Sequence, residues 1–166
     1  MSTFVDSKFL VCGGSTELTN APNNTCDMFS LASMAWGEVE DMREYRHQVR
    51  DIGTCQWDYS VISPQAAGVG LLGKFYMTGG VTLTDTSVNT TEVWDPFTRS
   101  WTEGPEMLLP LFGHCVVKHR DTFIVIGGTI SETAESNLIF RYNVTSNSML
   151  PLGFMMISRT GHGCSM

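Results

Sequence analysis

Short apolar runs that end in a pair of glycines recur three times along the chain. The runs are FLVCGG (9–14), FYMTGG (75–80) and FIVIGG (123–128). Short stretches rich in β-branched and aromatic residues, bounded by turn-forming residues, are typical of strands. A doubled glycine lets the backbone leave a crowded strand with dihedral angles that other residues avoid. We therefore predict a strand before each pair and a structural role for the glycines. These are Gly13, Gly14, Gly79, Gly80, Gly127 and Gly128.

The glycine pairs open a longer repeat. Each pair is followed by a polar loop, an asparagine, a large aromatic residue, a second large residue seven positions later, and a methionine. The landmarks are Asn24, Phe29, Trp36 and Met42, then Asn89, Trp94, Trp101 and Met107, then Asn137, Tyr142, Met149 and Met155. They shift by 48 positions from the second set to the third, and by 65 or 66 from the first to the second, so about 17 residues are inserted between the first two units. Self-similarity at a fixed period is the signature of a repeat architecture.

The stretch EVWDPFTRSW (92–101) predicts a hairpin inside the second unit. Asp95 and Pro96 suit the start of a turn, because proline presets φ to the value that the turn requires. The tryptophans at the two ends of the hairpin, like their counterparts in the other units, are predicted to pack in the core between neighbouring sheets. The residues expected in this structural role are Phe29, Trp36, Trp94, Trp101 and Tyr142.

This combination of landmarks resembles the Kelch repeat over essentially the whole chain. The resemblance implies an all-β fold of Kelch-type β-propeller blades, about three four-stranded antiparallel sheets with strands a to d, in a partial or fragment propeller. Strand b ends in the glycine pair, strand c holds the aromatic residue, and strand d starts at the tryptophan position. The units are approximately 1–45, 64–111 and 112–166, with an inserted loop at 43–63. Two positions depart from the family: Met149 stands where it has tryptophan, and the first unit lacks the Gly-His pair of residues 113–114.

Three units are too few to close a propeller, which needs about four to eight blades. The chain is expected to begin in STFVDSKFLVCGG without a full strand a, and to end in RTGHGCSM, a strand a with no strand b to follow. Apolar faces left bare on the outer sheets would favour association. We therefore expect either a part of a larger propeller or a homo-oligomer.

The bulk composition argues against several classes of function. The chain has 166 residues, 42% of them apolar, and a net charge of −7. An acidic surface disfavours a broad phosphate-binding footprint, so no nucleic-acid partner is expected. The chain contains no stretch of about 18 apolar residues, which is the length that a membrane-spanning helix needs. The N-terminus lacks the charged start and long apolar stretch of a signal peptide.

The cysteines and the N-glycosylation sequons leave the compartment open. Five cysteines include no C-x-x-C pattern, so neither a zinc knuckle nor a dithiol redox site is supported, and we predict no metal and no cofactor. Sequons begin at Asn23, Asn89 and Asn143, and they matter only in a secreted protein. A cytoplasmic location is slightly favoured, and a secreted one stays possible.

No catalytic residues are predicted. His114 and His162 occupy the same slot in successive units, so each is expected to hydrogen-bond the backbone at the start of a strand a. No Ser-His-Asp order, phosphate loop or close carboxylate pair stands out. Some Kelch-like propellers are enzymes, such as copper oxidases and sialic acid epimerases, but no motif here matches their site residues.

The loops at one end of the sheets are the predicted partner-binding surface. Antiparallel strands bring the b–c loops (15–23, 81–88 and 129–136) to the same end as the d–a loops, and loops on a rigid scaffold often carry binding residues. Arginine, tryptophan and tyrosine dominate binding hot spots. The candidates are Arg43, Arg46, His47, Arg50, Trp57 and Tyr59 in the inserted loop, and Glu17, Asp85 and Glu132 in the b–c loops. The alternative is that Trp57 and Tyr59 pin the loop onto a sheet while the arginines are solvated.

These features predict a non-catalytic protein–protein interaction module, an adaptor or partner-recruiting scaffold. A second hypothesis, based on the sequons, is a secreted and glycosylated recognition propeller. A Kelch-type enzyme is the third.

Overall fold

The computed structural model describes residues 2–5, 7–15, 22–43, 66–82, 86–131, 133–144 and 146–165. The prediction of an all-β fold is confirmed: every regular element in these ranges is a strand. The first sheet contains β1 (Ser2–Val5), β2 (Lys8–Ser15), β3 (Pro22–Ser30) and β4 (Ala35–Glu38). The second contains β5 (Ala67–Leu71), β6 (Lys74–Thr78), β7 (Thr91–Asp95) and β8 (Ser100–Glu103).

The third sheet is interrupted by a small hairpin. Its strands β9 (Cys115–His119) and β10 (Thr122–Ile126) are followed by the two-stranded pair β11 (Thr129–Ser131) and β12 (Ala134–Glu135). The chain then returns through β13 (Leu138–Asn143) and β14 (Ser148–Phe154), which complete the sheet in the order β9-β10-β13-β14. All three large sheets are antiparallel and have four strands in sequence order, which correspond to strands a to d of each unit.

The repeat is visible in the backbone as well as in the sequence. Each a–b turn has a non-glycine residue with positive φ: Ser7 (63°), Leu72 (50°) and Arg120 (54°). Each c–d turn has another: Met34 (53°), Arg99 (55°) and Asn147 (48°). The residue numbers in both series rise by 65 and then by 48, since 7 + 65 = 72, 72 + 48 = 120, 34 + 65 = 99 and 99 + 48 = 147. The spacing found among the sequence landmarks is therefore also the spacing of the turns.

The repeated asparagine and methionine hold each unit together at one end. In every unit the methionine amide donates to the asparagine carbonyl oxygen, over 2.9 Å in Asn24–Met42, 2.7 Å in Asn89–Met107 and 2.7 Å in Asn137–Met155. The side-chain amides of Asn24 and Asn137 also donate to the methionine carbonyl oxygens, at 2.9 and 3.0 Å. Asn89 instead donates to the Glu106 carboxylate at 3.2 Å.

A row of large side chains crosses each sheet in the same register. Strands b, c and d each contribute one side chain, and the three lie opposite one another on one face. The rows are Phe9, Phe29 and Trp36 in the first sheet, Phe75, Trp94 and Trp101 in the second, and Phe123, Tyr142 and Met149 in the third. We call the face with this row the aromatic face of a sheet, and the opposite one its back face.

The sheets stack with an aromatic face against a back face. The second row is buried in a cluster whose members from the first unit are Leu10, Cys12, Cys26 and Met42. The third row is buried in a cluster whose second-sheet members include Val69, Leu71, Tyr76 and Val93. Removing this much apolar surface from water is the main stabilising contribution. The chain therefore makes the same type of contact twice.

The core position predicted for Trp36 is wrong for this chain. Trp94 is 1% exposed and Trp101 is 4% exposed, but their counterpart Trp36 is 60% exposed. Trp36 stacks against Phe29 of its own row, with ring centroids 5.2 Å apart. The cause is its position on the first sheet, because within the described residues no earlier sheet is present to cover this aromatic face.

Both ends of the repeat differ from the prediction. β1 pairs with β2 over four positions, so the first sheet has its strand a. Residues 155–165 contain no strand, so the strand a predicted in RTGHGCSM is wrong over the part that the structure describes. A strand a is held by pairing with a strand b, and no described strand pairs with this segment. Cys164 of this segment is instead bonded to Cys115 at the start of β9.

Candidate partner-binding surface

The b–c and d–a loops meet at one end of the sheets, which we call the loop end. Its described parts are residues 39–43, 79–82, 86–90, 104–114, 127–131, 133–137 and 155–165. The glycine pairs tie these loops together: Gly80 N donates to Leu111 O and Gly128 N donates to Arg159 O, both over 2.8 Å. Gly161 N donates to Gly113 O at 2.8 Å and so joins one d–a segment to the next. The backbones of neighbouring loops are therefore cross-linked.

The b–c loop of the third unit is folded onto its neighbours. Residues of β11 exchange two backbone hydrogen bonds with the preceding d–a loop, Phe112 N to Thr129 O at 3.0 Å and Thr129 N to Phe112 O at 2.8 Å. Ser87 Oγ, in the b–c loop of the second unit, donates to Ile130 O at 2.6 Å. These bonds give the described part of the loop end a defined backbone that can present side chains without first having to order.

Arg43 is the predicted binding residue that the structure describes. Its backbone amide donates to Glu92 Oε1 at 2.9 Å, and its guanidinium lies 3.2 Å from Glu103 Oε1. The ion pair is half exposed on the arginine side and largely exposed on the glutamate side, so it contributes little to stability. Arg43 thus joins the first unit to the second at the start of the inserted loop. The other candidates, Arg46, His47, Arg50, Trp57, Tyr59, Glu17, Asp85 and Glu132, lie outside the described residues.

Among the described residues, the backbone hydrogen bond predicted for the His162 side chain is wrong, and the His114 side chain contacts a hydroxyl. His114 Nε2 lies 2.8 Å from Thr78 Oγ1, and both side chains are buried. In the next unit Ile126 replaces Thr78, so no hydroxyl faces His162 and neither of its ring nitrogens has a partner among the described residues. Burial, together with the charge of Arg159, lowers the pKa of His162. The His114 and His162 side chains therefore pack against Gly79 and Gly127, and His114 also contacts the Thr78 hydroxyl.

A cleft of about 290 Å³ lies between the second and third sheets and is lined from the a–b turn at Leu72 to Gly104, where β8 has ended. Its walls include Lys74, Tyr76, Glu103, Tyr142 and Asn147. Burial raises the pKa of Tyr76, and burial with the neighbouring Tyr76 raises the pKa of Tyr142 to about 12. Both phenols therefore stay protonated near neutral pH. A general base needs a pKa close to the working pH, so neither tyrosine suits that role.

The part of the chain that the structure describes contains no group of three or more His, Cys, Asp or Glu side chains placed to hold a metal ion. Nor does any helix within it have the length and apolar character needed to cross a bilayer.

Two disulfides were not predicted from the sequence. Cys12 and Cys26 are paired directly across β2 and β3 and form a disulfide, and Cys115 forms one with Cys164. The Cys12–Cys26 disulfide could have been predicted from the sequence. Phe9 pairs with Phe29, as the repeat requires, and counting three positions along each antiparallel strand gives Cys12 opposite Cys26, since 9 + 3 = 12 and 29 − 3 = 26.

Comparison with known proteins identifies a fold but no family. No protein-family model matches the chain, and no curated protein matches it. Among solved structures, the chain is similar to that of YjhT, with a TM-score of 0.72 and 16% sequence identity over 96% of this chain. The chain spans about half of that neighbour, 52% of its length. At this identity the likeness concerns the fold alone.

Proposed function

We propose that the three sheets are blades of a Kelch-type β-propeller. Three features support this assignment: four-stranded antiparallel sheets in sequence order, face-to-back stacking, and a glycine pair at the same joint of the second and third units. Radial repetition of such sheets is how propellers limit their exposed edges. The described residues form three such sheets, and a structural neighbour about twice as long is consistent with a ring that has more of them.

We further propose that the protein is a non-catalytic protein–protein interaction module that binds its partner at the loop end. The observation that carries this proposal is the hydrogen bonding between neighbouring loops: Gly80 to Leu111 and Gly128 to Arg159 within single units, and Ser87 to Ile130 between the second and third units. A platform that is ordered before binding loses less conformational entropy when a partner docks. The histidines and tyrosines described above offer no catalytic arrangement that would favour an enzyme.

The inserted loop is the proposed source of affinity. It begins at Arg43, which is fixed to the second sheet through Glu92 and Glu103, so the loop leaves from the loop end. Its candidates combine arginines with Trp57 and Tyr59, the residue types that anchor interfaces. Arginines at the rim of an interface act mainly on the association rate, whereas a buried aromatic anchor acts on dissociation.

Trp57→Ala should weaken partner binding by about 2 kcal/mol, roughly 30-fold in Kd, and leave the melting temperature nearly unchanged. The partner would first be captured by cross-linking in a native extract and identified by mass spectrometry, and Kd would then be measured by calorimetry. The matched control is Phe97→Ala, because Phe97 is an aromatic side chain that is 95% exposed at a c–d turn, away from the loop end. An early melt with normal binding for Trp57→Ala would mean that Trp57 packs the loop, and the b–c loops would then be the remaining candidates.

A second candidate function is favoured by the disulfides. Disulfides form and persist in oxidising compartments and are rare in the cytosol, so the two pairs support a secreted, glycosylated recognition propeller. Asn143 starts a sequon at the end of β13 and accepts a hydrogen bond from Ser146 N at 3.3 Å through its Oδ1 atom, in a c–d turn.

Routed through the secretory pathway of eukaryotic cells, the protein should carry glycan at Asn89 and Asn143. An endoglycosidase should then increase its mobility on a denaturing gel, and Asn143→Gln should remove part of that change. Unaltered mobility of the parent protein would remove the sequons as support for this function.

A further inference from the structure

Exposed apolar surface is concentrated on the two outer units. Among the described side chains, nine of the twelve exposed large apolar ones belong to the first and third units. These are Phe9, Leu31, Met34 and Trp36 in the first, and Leu150, Leu152, Phe154, Met156 and Ile157 in the third. The middle unit, which is covered on both sides, has the other three. Of the nine, Phe9 and Trp36 lie on the aromatic face of the first sheet and Leu150 lies on the back face of the third, and apolar side chains exposed on a sheet face mark an interaction site.

We propose that the aromatic face of the first sheet binds the back face of the third sheet of a second copy of this chain. Two such contacts, related by a two-fold axis, would join two chains into a closed ring of six sheets. The inference goes beyond the proposed partner binding, because it uses the lateral faces of the outer sheets and not the loop end.

The proposed contact repeats one that the chain already makes twice. The aromatic rows of the second and third sheets are each covered by the back face of the sheet before them. In the third sheet, Ile124 occupies the back-face position of Leu10 and Tyr76, since 10 + 66 = 76 and 76 + 48 = 124. Around it the same face carries Val117, Ile126, Ile139 and Leu150. This aliphatic surface is the counterpart of the surfaces that cover the two buried rows.

A hydrogen bond that joins the first two units has counterparts of both its groups on the outer sheets. Trp101 Nε1 donates to the carbonyl oxygen of Glu40 at 2.7 Å, and this bond joins the second sheet to the first. Trp36 is the counterpart of Trp101, and Gly153 is the counterpart of Glu40, because both precede a repeat methionine by two positions. The repeat therefore assigns the Gly153 carbonyl oxygen of the second copy as acceptor for Trp36 Nε1.

Arg141 supplies a second polar match. It stands on the back face of the third sheet, and its buried Nε atom has no hydrogen-bond partner among the described residues. Its counterparts Met28 and Val93 pack in the clusters that cover the next aromatic row. The same position would set the guanidinium of Arg141 against Phe29 and Trp36 of the second copy. Arginine over an aromatic face is stabilised by a cation–π interaction.

A second copy fits the number of sheets. The chain matches the fold of YjhT over 96% of its own length but covers 52% of that protein. An assembly as large as YjhT therefore needs about twice the structure that one copy of this chain supplies. A second copy supplies it with three more sheets. In a head-to-tail pair both outer faces of each copy are covered, so neither is left to recruit further copies.

Light scattering coupled to size exclusion should find a particle of 2 × 18.3 = 36.6 kDa for the parent protein. Trp36→Glu should give a folded 18.3 kDa monomer, because an exposed side chain can be replaced without disturbing the core. Circular dichroism checks that the variant keeps its strands. Phe97→Glu is the matched control: Phe97 is an exposed aromatic of the middle unit, and this variant should stay dimeric.

Mixing two variants tests the head-to-tail arrangement. Ile124→Glu, on the opposite outer face, should also be monomeric alone, but mixed with Trp36→Glu it should form a dimer through the one pair of faces that remains intact. Dimerisation of Ile124→Glu by itself would overturn the arrangement, because the aromatic faces would then be pairing with each other. A monomeric parent protein would overturn the proposal, and so would a dimer that Trp36→Glu leaves intact. Particles larger than a dimer would overturn closure at two copies.

Discussion

Replacing Gly79 with alanine should lower the free energy of unfolding by about 3 kcal/mol. Gly79 has φ of 58°, in the left-handed region that costs other L-residues about 1–2 kcal/mol. A Cβ atom there would clash with Leu111 O and would lie 2.8 Å from His114 Cε1. Leu111 O cannot move away freely, because it accepts the hydrogen bond from Gly80 that ties two loops together. Gly127→Ala should behave alike, since its Cβ would lie 2.6 Å from Arg159 O.

The matched control is Gly163→Ala. A Cβ at Gly163 has no atom within 4 Å, and its φ is not in the left-handed region, so this variant should unfold like the parent. Urea titration followed by circular dichroism measures all three free energies. If Gly79→Ala and Gly163→Ala are equally stable, the backbone around Gly79 has more room for a side chain than the structure shows.

The second hairpin shows how far local sequence determines the fold. EVWDPFTRSW predicts two strands around a turn, and β7 and β8 pair as expected, with Trp94 opposite Trp101. The turn is held by its own residues: Asp95 Oδ1 accepts a hydrogen bond from Phe97 N at 2.8 Å. A short polar side chain that bonds the backbone two positions ahead needs no tertiary partner. Such elements can be predicted because the physical cause lies within a few residues.

Trp36 shows where sequence reasoning fails. Its row has the same pattern as the two buried rows, so no residue of that row distinguishes it. Burial depends on whether another sheet lies against the face, which is a property of the assembly. The prediction for RTGHGCSM is wrong for a related reason. The repeat predicts a strand a there, but a strand a forms only when a strand b lies beside it.

The candidate binding surface was predictable in location more than in detail. Strand order places the b–c and d–a loops at one end, and the structure has them there. The partners of Arg43 were not predictable, because Glu92 and Glu103 lie 49 and 60 positions away and only the stacking of two sheets brings them together. The exchange of Thr78 for Ile126 opposite a repeat histidine is visible in the sequence only once the structure has identified the contact.

The disulfides give the second large expected effect. Removing Cys115–Cys164 with the double change Cys115→Ala and Cys164→Ala should cost about 4 kcal/mol, because this bond closes 49 residues and so restricts the unfolded chain strongly. Removing Cys12–Cys26 in the same way should cost about 3 kcal/mol from loop closure, since that bond spans only 14 residues. The loss of packing at two buried positions adds to the second value.

Urea titration of protein purified under oxidising conditions measures both losses. The matched control is Cys55→Ala, which removes the cysteine that neither disulfide uses and should leave the other four protected from alkylation. Dithiothreitol should destabilise the parent protein, and it should have no further effect on a variant that lacks both disulfides. If a thiol reagent labels all five cysteines of the native oxidised protein, the two bonds are not formed. The secreted alternative would then lose its structural support, and a cytoplasmic interaction module would be the better hypothesis.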